Sequence, residues 1–245
     1  MNKRVIYLKV TIDSTIFEQL PTLKIGLIYY NKIIVSESPQ MLKGRLQLFQ
    51  EQLFFELDEK AVTDFAGVKE WRETWKRFGS NPSRYRPSNE ALLRRIQKQN
   101  YLPSVHSAVD MNNFLSLQYD IPLGIYNTTL LQGDIQLQLG TVESTYEGLN
   151  GRINHLNNIL TLTDEKGPFG SPYVDSKRTA VNEETTSALH VFFLKPSQQL
   201  EDAEQLLQAA GKMFTTIHGG DFQTALLSIE NPSSMMNSKM IRAGE

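Results

Sequence analysis

The chain has 245 residues, 40% hydrophobic content and a formal charge of -2, enough to bury a sizeable core as one large domain or one domain with an appendage. Cysteine is absent, which excludes disulfides, zinc–cysteine sites and thiol nucleophiles, and His106, His155, His190 and His218 show no metal-ligand spacing. Lys9 and Asp13 interrupt any apolar run near the start, so neither a signal peptide nor a membrane span is expected and the chain reads as cytoplasmic.

In chain order, Val5 to Ile12 and Leu23 to Val35 are β-branched and aromatic and predict strands, with a hairpin turn at Tyr30-Asn31-Lys32. Leu42, Leu46, Phe49, Leu53 and Leu57 recur at spacings of four, three, four and four, the mark of one helix face. Trp71, Trp75 and Phe78 continue on a second helix ending at Gly79, where two tryptophans on one face read as core rather than as a stacking platform. Ser88 reads as the N-cap of a helix through Gln97, and Ser104 as the cap of a helix to about Gln118. On the latter, Asp110 and Asn113 share a face, where they either cap a neighbouring loop or line a pocket.

Pro122-Leu123-Gly124 breaks the pattern before a half-buried strand at Ile135, Leu137 and Leu139 and a turn over Tyr146 to Gly151. Strands are expected at Asn158 to Thr163 and Ala188 to Leu194, then a helix capped by Ser197 and a last strand over Ala225 to Ile229. The tail from Asn231 shows no pattern and is expected to be loosely held. Strands and helices alternate irregularly, which predicts an α+β fold with a mixed sheet flanked by helices.

Two stretches stand out chemically. Lys69 to Lys98 carries nine Lys or Arg against three Glu, a net of +6, which points toward an anionic partner such as nucleic acid; a solvated pair of helix faces is the plainer explanation. Gly167 to Thr179 packs two glycines, two prolines, three Ser or Thr side chains, Asp175 and Arg178 between two strands. An ordered loop of that make-up is where binding and catalysis concentrate, although a plain connection with an Asp175–Arg178 ion pair has the same composition. No P-loop, dinucleotide fingerprint, Gly-x-Ser-x-Gly or His-Glu-x-x-His is present. Asp110, Asn113, Asp175, Ser176 and Arg178 can bind a small polar group, and backbone N–H groups at Gly167, Gly170 and Ser171 can face an oxyanion. On these residues alone the protein is a ligand-binding α+β protein.

Glu90-Ala91-Leu92-Leu93-Arg94-Arg95, Ala108-Val109-Asp110-Met111-Asn112-Asn113-Phe114, Ile121-Pro122-Leu123-Gly124-Ile125-Tyr126-Asn127, Leu149-Asn150-Gly151 and Val181-Asn182-Glu183-Glu184-Thr185 occur in an order that resembles the B3/B4 domain of the phenylalanyl-tRNA synthetase beta subunit, in its free-standing form. The resemblance spans about residues 69–195 and implies a B3/B4-like editing-domain fold over 69–230. Residues 1–68 then add strands and a helix on that core, and 231–245 form the tail.

The implied activity is hydrolysis of the ester of a mischarged tRNA in trans, and the implied partner is that tRNA, with no cofactor, metal or membrane. The implied catalytic positions are Asn113, Gly170 and Ser171, and the implied substrate contacts are Asn112, Ser116, Tyr126, Gly167, Phe169, Asp175, Ser176 and Arg178. Arg84, Arg86, Arg94 and Arg95 would meet the tRNA. The chain departs from the family pattern at Asn112, which stands at a threonine, at Gly124, which stands at a pocket histidine, and near His190 or Val191, where a pocket glutamate falls. The amino acid removed is therefore expected to differ from that of the synthetase. The alternative is a binding module for tRNA, RNA or an amino acid that keeps the fold without the chemistry.

Overall fold

The computed structural model describes residues 7–237; Val5 and Ile6 of the first expected strand and residues 238–245 of the tail lie outside them. The elements run β1 (Tyr7–Ile12), α1 (Ser14–Gln19), β2 (Ile25–Asn31), α2 (Gln40–Glu59), α3 (Ala66–Arg77), α4 (Ser88–Gln97), α5 (Ser107–Tyr119), β3 (Leu123–Asn127), β4 (Ile135–Leu139), β5 (Thr145–Glu147) and β6 (Ile153–His155). They continue with β7 (Leu160–Asp164), β8 (Gly167–Gly170), β9 (Ser187–Phe193), α6 (Leu200–His218), β10 (Asp221–Leu227) and β11 (Ser233–Asn237).

The fold is α+β. One five-stranded sheet, ordered β11-β1-β4-β7-β8, is mixed because β1 and β4 run parallel. A four-stranded antiparallel sheet is ordered β10-β2-β9-β3. Side chains alternate across a strand, and this divides the core in two. Ile28, Tyr30, Ile125 and Phe192 face α2, α4, α5 and α6. Ile25, Leu27, Tyr126, Val191 and Phe193 face the five-stranded sheet together with α1 and α3. Trp71 and Trp75 are fully buried there in an edge-to-face pair 5.8 Å apart, as expected of core residues.

Several expectations fail for identifiable reasons. No hairpin forms at Tyr30-Asn31-Lys32, because β2 already has β9 and β10 on its two sides and the chain leaves the sheet at Lys32, whose φ is 56°. The expected caps are spent elsewhere. Ser104 donates to the Asp110 carboxylate, leaving His106 to cap α5. Ser197 binds Glu70, and α6 starts later, at Leu200. Ser88 lies inside α4 with an unpartnered hydroxyl. β3 occupies the stretch read as a break, since Leu123 to Asn127 is buried throughout. β8 claims the first four residues of the Gly167 to Thr179 loop, and Ser233 to Asn237 of the tail pairs antiparallel with β1. Among the described residues no helix is long and apolar enough to cross a membrane.

Candidate functional site

The most unusual chemistry lies in the seam between the two sheets, at the edge strand β3, whose outer side meets Ala180 in a single bridge. Gly124 and Tyr126 project from the same face of this strand. The Tyr126 ring is fully buried and meets Phe169 edge to face, with centroids 5.0 Å apart at 84°. Its hydroxyl donates to Asp175 Oδ1 at 2.7 Å, and the Ser171 N–H reaches the same oxygen at 3.4 Å. A Cβ on Gly124 would lie 2.0 Å from the Tyr126 oxygen and one on Gly170 would lie 2.3 Å from it. The two glycines are what allow the phenol to reach the carboxyl. Asp175 Oδ2 has no hydrogen-bond partner among the described residues.

Burial dominates the electrostatics. The Asp175 carboxyl is pushed up to about 7 by desolvation, against the Tyr126 and Ser171 hydrogen bonds that lower it. Tyr126 rises well above its usual range, first by burial and then by the Asp175 charge. Sequence reasoning missed Tyr146, which read as part of a turn. Its hydroxyl donates to Ser171 Oγ at 3.0 Å and to the Val174 carbonyl, bracing the loop from beneath, and burial raises its pKa too.

The other loop candidates are framework. Ser171 Oγ donates to Val174 O at 3.0 Å and accepts the Tyr173 and Val174 N–H groups at 3.2 Å. Ser176, almost fully buried, accepts from Arg178 N. Arg178 does not pair with Asp175. Its guanidinium holds the buried Asp164 carboxylate at 2.8 and 3.0 Å and the Gly167 carbonyl at 3.1 Å. Phe169 is fully buried core, whereas Gly167, with φ 106°, faces open space.

The α5 candidates lie behind the sheet. Asn112 Oδ1 bonds His190 Nε2 at 3.1 Å, and the second ring nitrogen of His190 contacts Tyr30 Oη at 3.4 Å. Asn112 and His190 thus meet on the face of the sheet opposite Gly124 and Val191. Ser116 Oγ donates to Ile121 O at 2.7 Å and closes the end of α5. Asp110 is likewise committed, accepting from Ser38 at 2.6 Å and Val105 N at 2.9 Å. Asn113 is half-buried, and no hydrogen bond joins any two of Asn113, Asp175 and Arg178 among the described residues.

His190 is fully buried, and desolvation followed by the His218 charge lowers it to about 3; His218 is lowered as well, chiefly by burial. Because their folded pKa values lie below the unfolded 6.5, both histidines favour the fold above pH 6.5 and withdraw stability as pH falls below it, His190 down to about pH 3. The expected unfolding free energy, measured in urea, drops below pH 6.5 by up to about 1.4 kcal/mol per pH unit for each group. His190→Leu should flatten the slope, and a stability independent of pH between 7 and 4 would refute the assignment.

Of the basic residues, Arg94 belongs to an internal network. With Arg72 it flanks the fully buried Glu90, at 2.8 and 3.0 Å. Arg86 does not pair with Glu90, whose carboxylate is taken by Arg72 and Arg94. Arg84, Arg86 and Arg95 are exposed and form no ion pair among the described residues. No group of three His, Asp or Glu is placed to hold a metal among those residues. The clefts over α6, beside α2, between β1 and α1 and between α1 and α3 include none of Gly124, Tyr126, Ser171 and Asp175.

Residues 70–210 match the family model described as B3/4 domain, more than half of the chain. An uncharacterized protein of Bacillus subtilis, YhzB, is 34% identical over 213 residues, covering 87% of this chain and 96% of that protein. A phenylalanine–tRNA ligase beta subunit from Nitrobacter winogradskyi is 28% identical over 105 residues, 42% of this chain but 13% of the ligase subunit. An N-terminal fragment of the phenylalanyl-tRNA synthetase beta subunit from Pyrococcus horikoshii superposes with a TM-score of 0.43 at 13% identity over 87% of this chain, which spans about half of that fragment.

Proposed function

The chain belongs to the B3/4 domain family, and from that membership we propose that it is a free-standing deacylase that hydrolyses the ester between a wrong amino acid and tRNA, in the cytoplasm. The observation that carries the proposal is Asp175: one carboxyl oxygen is held by Tyr126, the other has no hydrogen-bond partner among the described residues, and burial moves its pKa to about 7. A base of that strength matches proton transfer at neutral pH.

In the proposed reaction Asp175 Oδ2 takes a proton from water as the water oxygen bonds to the ester carbon. The tetrahedral intermediate collapses by breaking the bond to the ribose oxygen, which takes the proton back from Asp175. The Ser171 N–H, held only at 3.4 Å by Asp175, is available to the developing oxyanion. An aminoacyl ester is already activated, so orientation of one water supplies much of the remaining acceleration. Gly170 serves by its missing side chain, which makes room for the Tyr126 hydroxyl. Asn113 lies on α5, across the four-stranded sheet from Asp175, and is given no part in this reaction.

Incubating the full chain with a panel of mischarged tRNAs tests the reading. At least one ester should be lost faster than in buffer, and no acceleration with any member would rule the activity out. A second reading, a module that binds RNA or an amino acid without turnover, is favoured by the internal commitments of Ser171, Ser176 and Arg178. It predicts binding that Asp175→Asn leaves unchanged, with no hydrolysis.

A further inference from the structure

Beside the seam, the basic connector and the loop of Asp175 are tied together. Ser88 N donates to Pro172 O at 2.8 Å. Tyr85 and Tyr173, one from each segment, meet edge to face with centroids 5.4 Å apart at 86°. Both rings are half-buried, and the Arg84 guanidinium lies 5.2 Å from the Tyr85 centroid. Arg84 and Arg86 are exposed and free of ion pairs among the described residues. Nothing in the proposed hydrolysis uses these four side chains.

We infer that the Tyr85–Tyr173 pair is a stacking platform for the terminal base of a single-stranded RNA 3′ end, with Arg84 and Arg86 on its phosphates; the inference rests on the deacylase reading for its substrate. In an edge-to-face pair the ring that offers its edge leaves its own faces unclaimed by its partner, and any base has a π-face to place on one. Exposed arginines beside such a ring supply both phosphate charge and cation–π contact. Tyr173 lies two residues from Asp175, a reach of at most about 7 Å along the chain. A base held on the tyrosines would bring its own ribose, which carries the ester, to the loop that carries the carboxyl. The two aromatic side chains differ in this from Trp71 and Trp75, which have no exposed surface.

The test is fluorescence anisotropy of the full chain with an unpaired RNA hexamer bearing a free 3′ end and with a blunt RNA duplex. Wild type should prefer the hexamer. Tyr85→Leu and Tyr173→Leu keep apolar bulk but lose the stack, and should weaken hexamer binding about 5- to 150-fold. Tyr85→Phe and Tyr173→Phe should retain it. Arg86→Ala should flatten the salt dependence by about 0.7 per phosphate contact in a log–log plot. A photoactivatable base at the 3′ terminus should crosslink wild type at Tyr85 or Tyr173, a readout that needs no variant to fold. Equal binding of duplex and hexamer, unchanged affinity in folded leucine variants, or crosslinking elsewhere would overturn the platform. Because no ester is present, tyrosine-dependent binding without deacylation would remove the enzyme reading alone, and deacylation with unchanged KM in Tyr85→Leu would remove the platform alone.

Discussion

Asp175→Asn is expected to slow ester hydrolysis by about 10²- to 10⁴-fold, the usual contribution of a positioned general base, while the protein stays folded. The asparagine oxygen can still accept from the Tyr126 hydroxyl and the Ser171 N–H, so the seam keeps its shape. What disappears is a group able to accept a proton. Stability should move the other way. The folded pKa of Asp175, about 7, lies above the ordinary carboxylate value of 3.8, so its stabilising contribution is complete below about pH 4 and is lost as pH rises through 7. Asparagine never ionises, and the variant should gain on the order of 1 kcal/mol over wild type at pH 8, a figure reduced for partial exposure. A variant that is less stable at pH 8 and equally active would show a structural aspartate. Activity lost together with stability gained is the pattern of a strained functional group.

Arg178→Ala is expected to be the most damaging single truncation in the loop, destabilising the protein by about 3–5 kcal/mol. Asp164 has no exposed side-chain surface, and the guanidinium supplies two of its hydrogen bonds while also tying Gly167 O to the same point. The Gln132 and Lys166 N–H groups that remain, each at 2.9 Å, do not neutralise the stranded carboxylate. Arg178→Lys should recover only part of the loss, since an ammonium cannot reproduce the planar fork. Chemical denaturation reads the difference. If Arg178 instead selected the amino acid, the alanine variant would unfold normally and change only which ester is removed.

Periodicity made the larger architecture legible. The apolar spacings of Leu42, Leu46, Leu53 and Leu57 and of Trp71 and Trp75 are the buried faces of α2 and α3, and the irregular alternation of elements matched an α+β fold. Local hydroxyl chemistry was not legible, because one serine can cap a helix or bond any nearby group. Ser104 went to Asp110 and Ser197 to Glu70, and their expected helices start three residues further on. Ion pairing failed in the same way. Asp175 lies three residues from Arg178, but the arginine reaches back across the β7–β8 turn to Asp164. Glu90 draws Arg72 from another helix, a contact between side chains 18 residues apart.

The polar grouping around Gly167 to Thr179 was found from composition. Its division was not, since the period of two along β3 and β9 sends Tyr126 to one face and His190 to the other. Tyr146 could have been found only as a large aromatic inside an otherwise turn-like stretch, and Gly124 mattered for the side chain it lacks.

The most direct test of the account is the pH–rate profile of single-turnover hydrolysis of a mischarged tRNA by the full chain. The account predicts a rate that climbs with pH to a plateau, with an inflection near 7 that is absent in Asp175→Asn. An Asp175→Asn variant with the wild-type rate and the same inflection would contradict it.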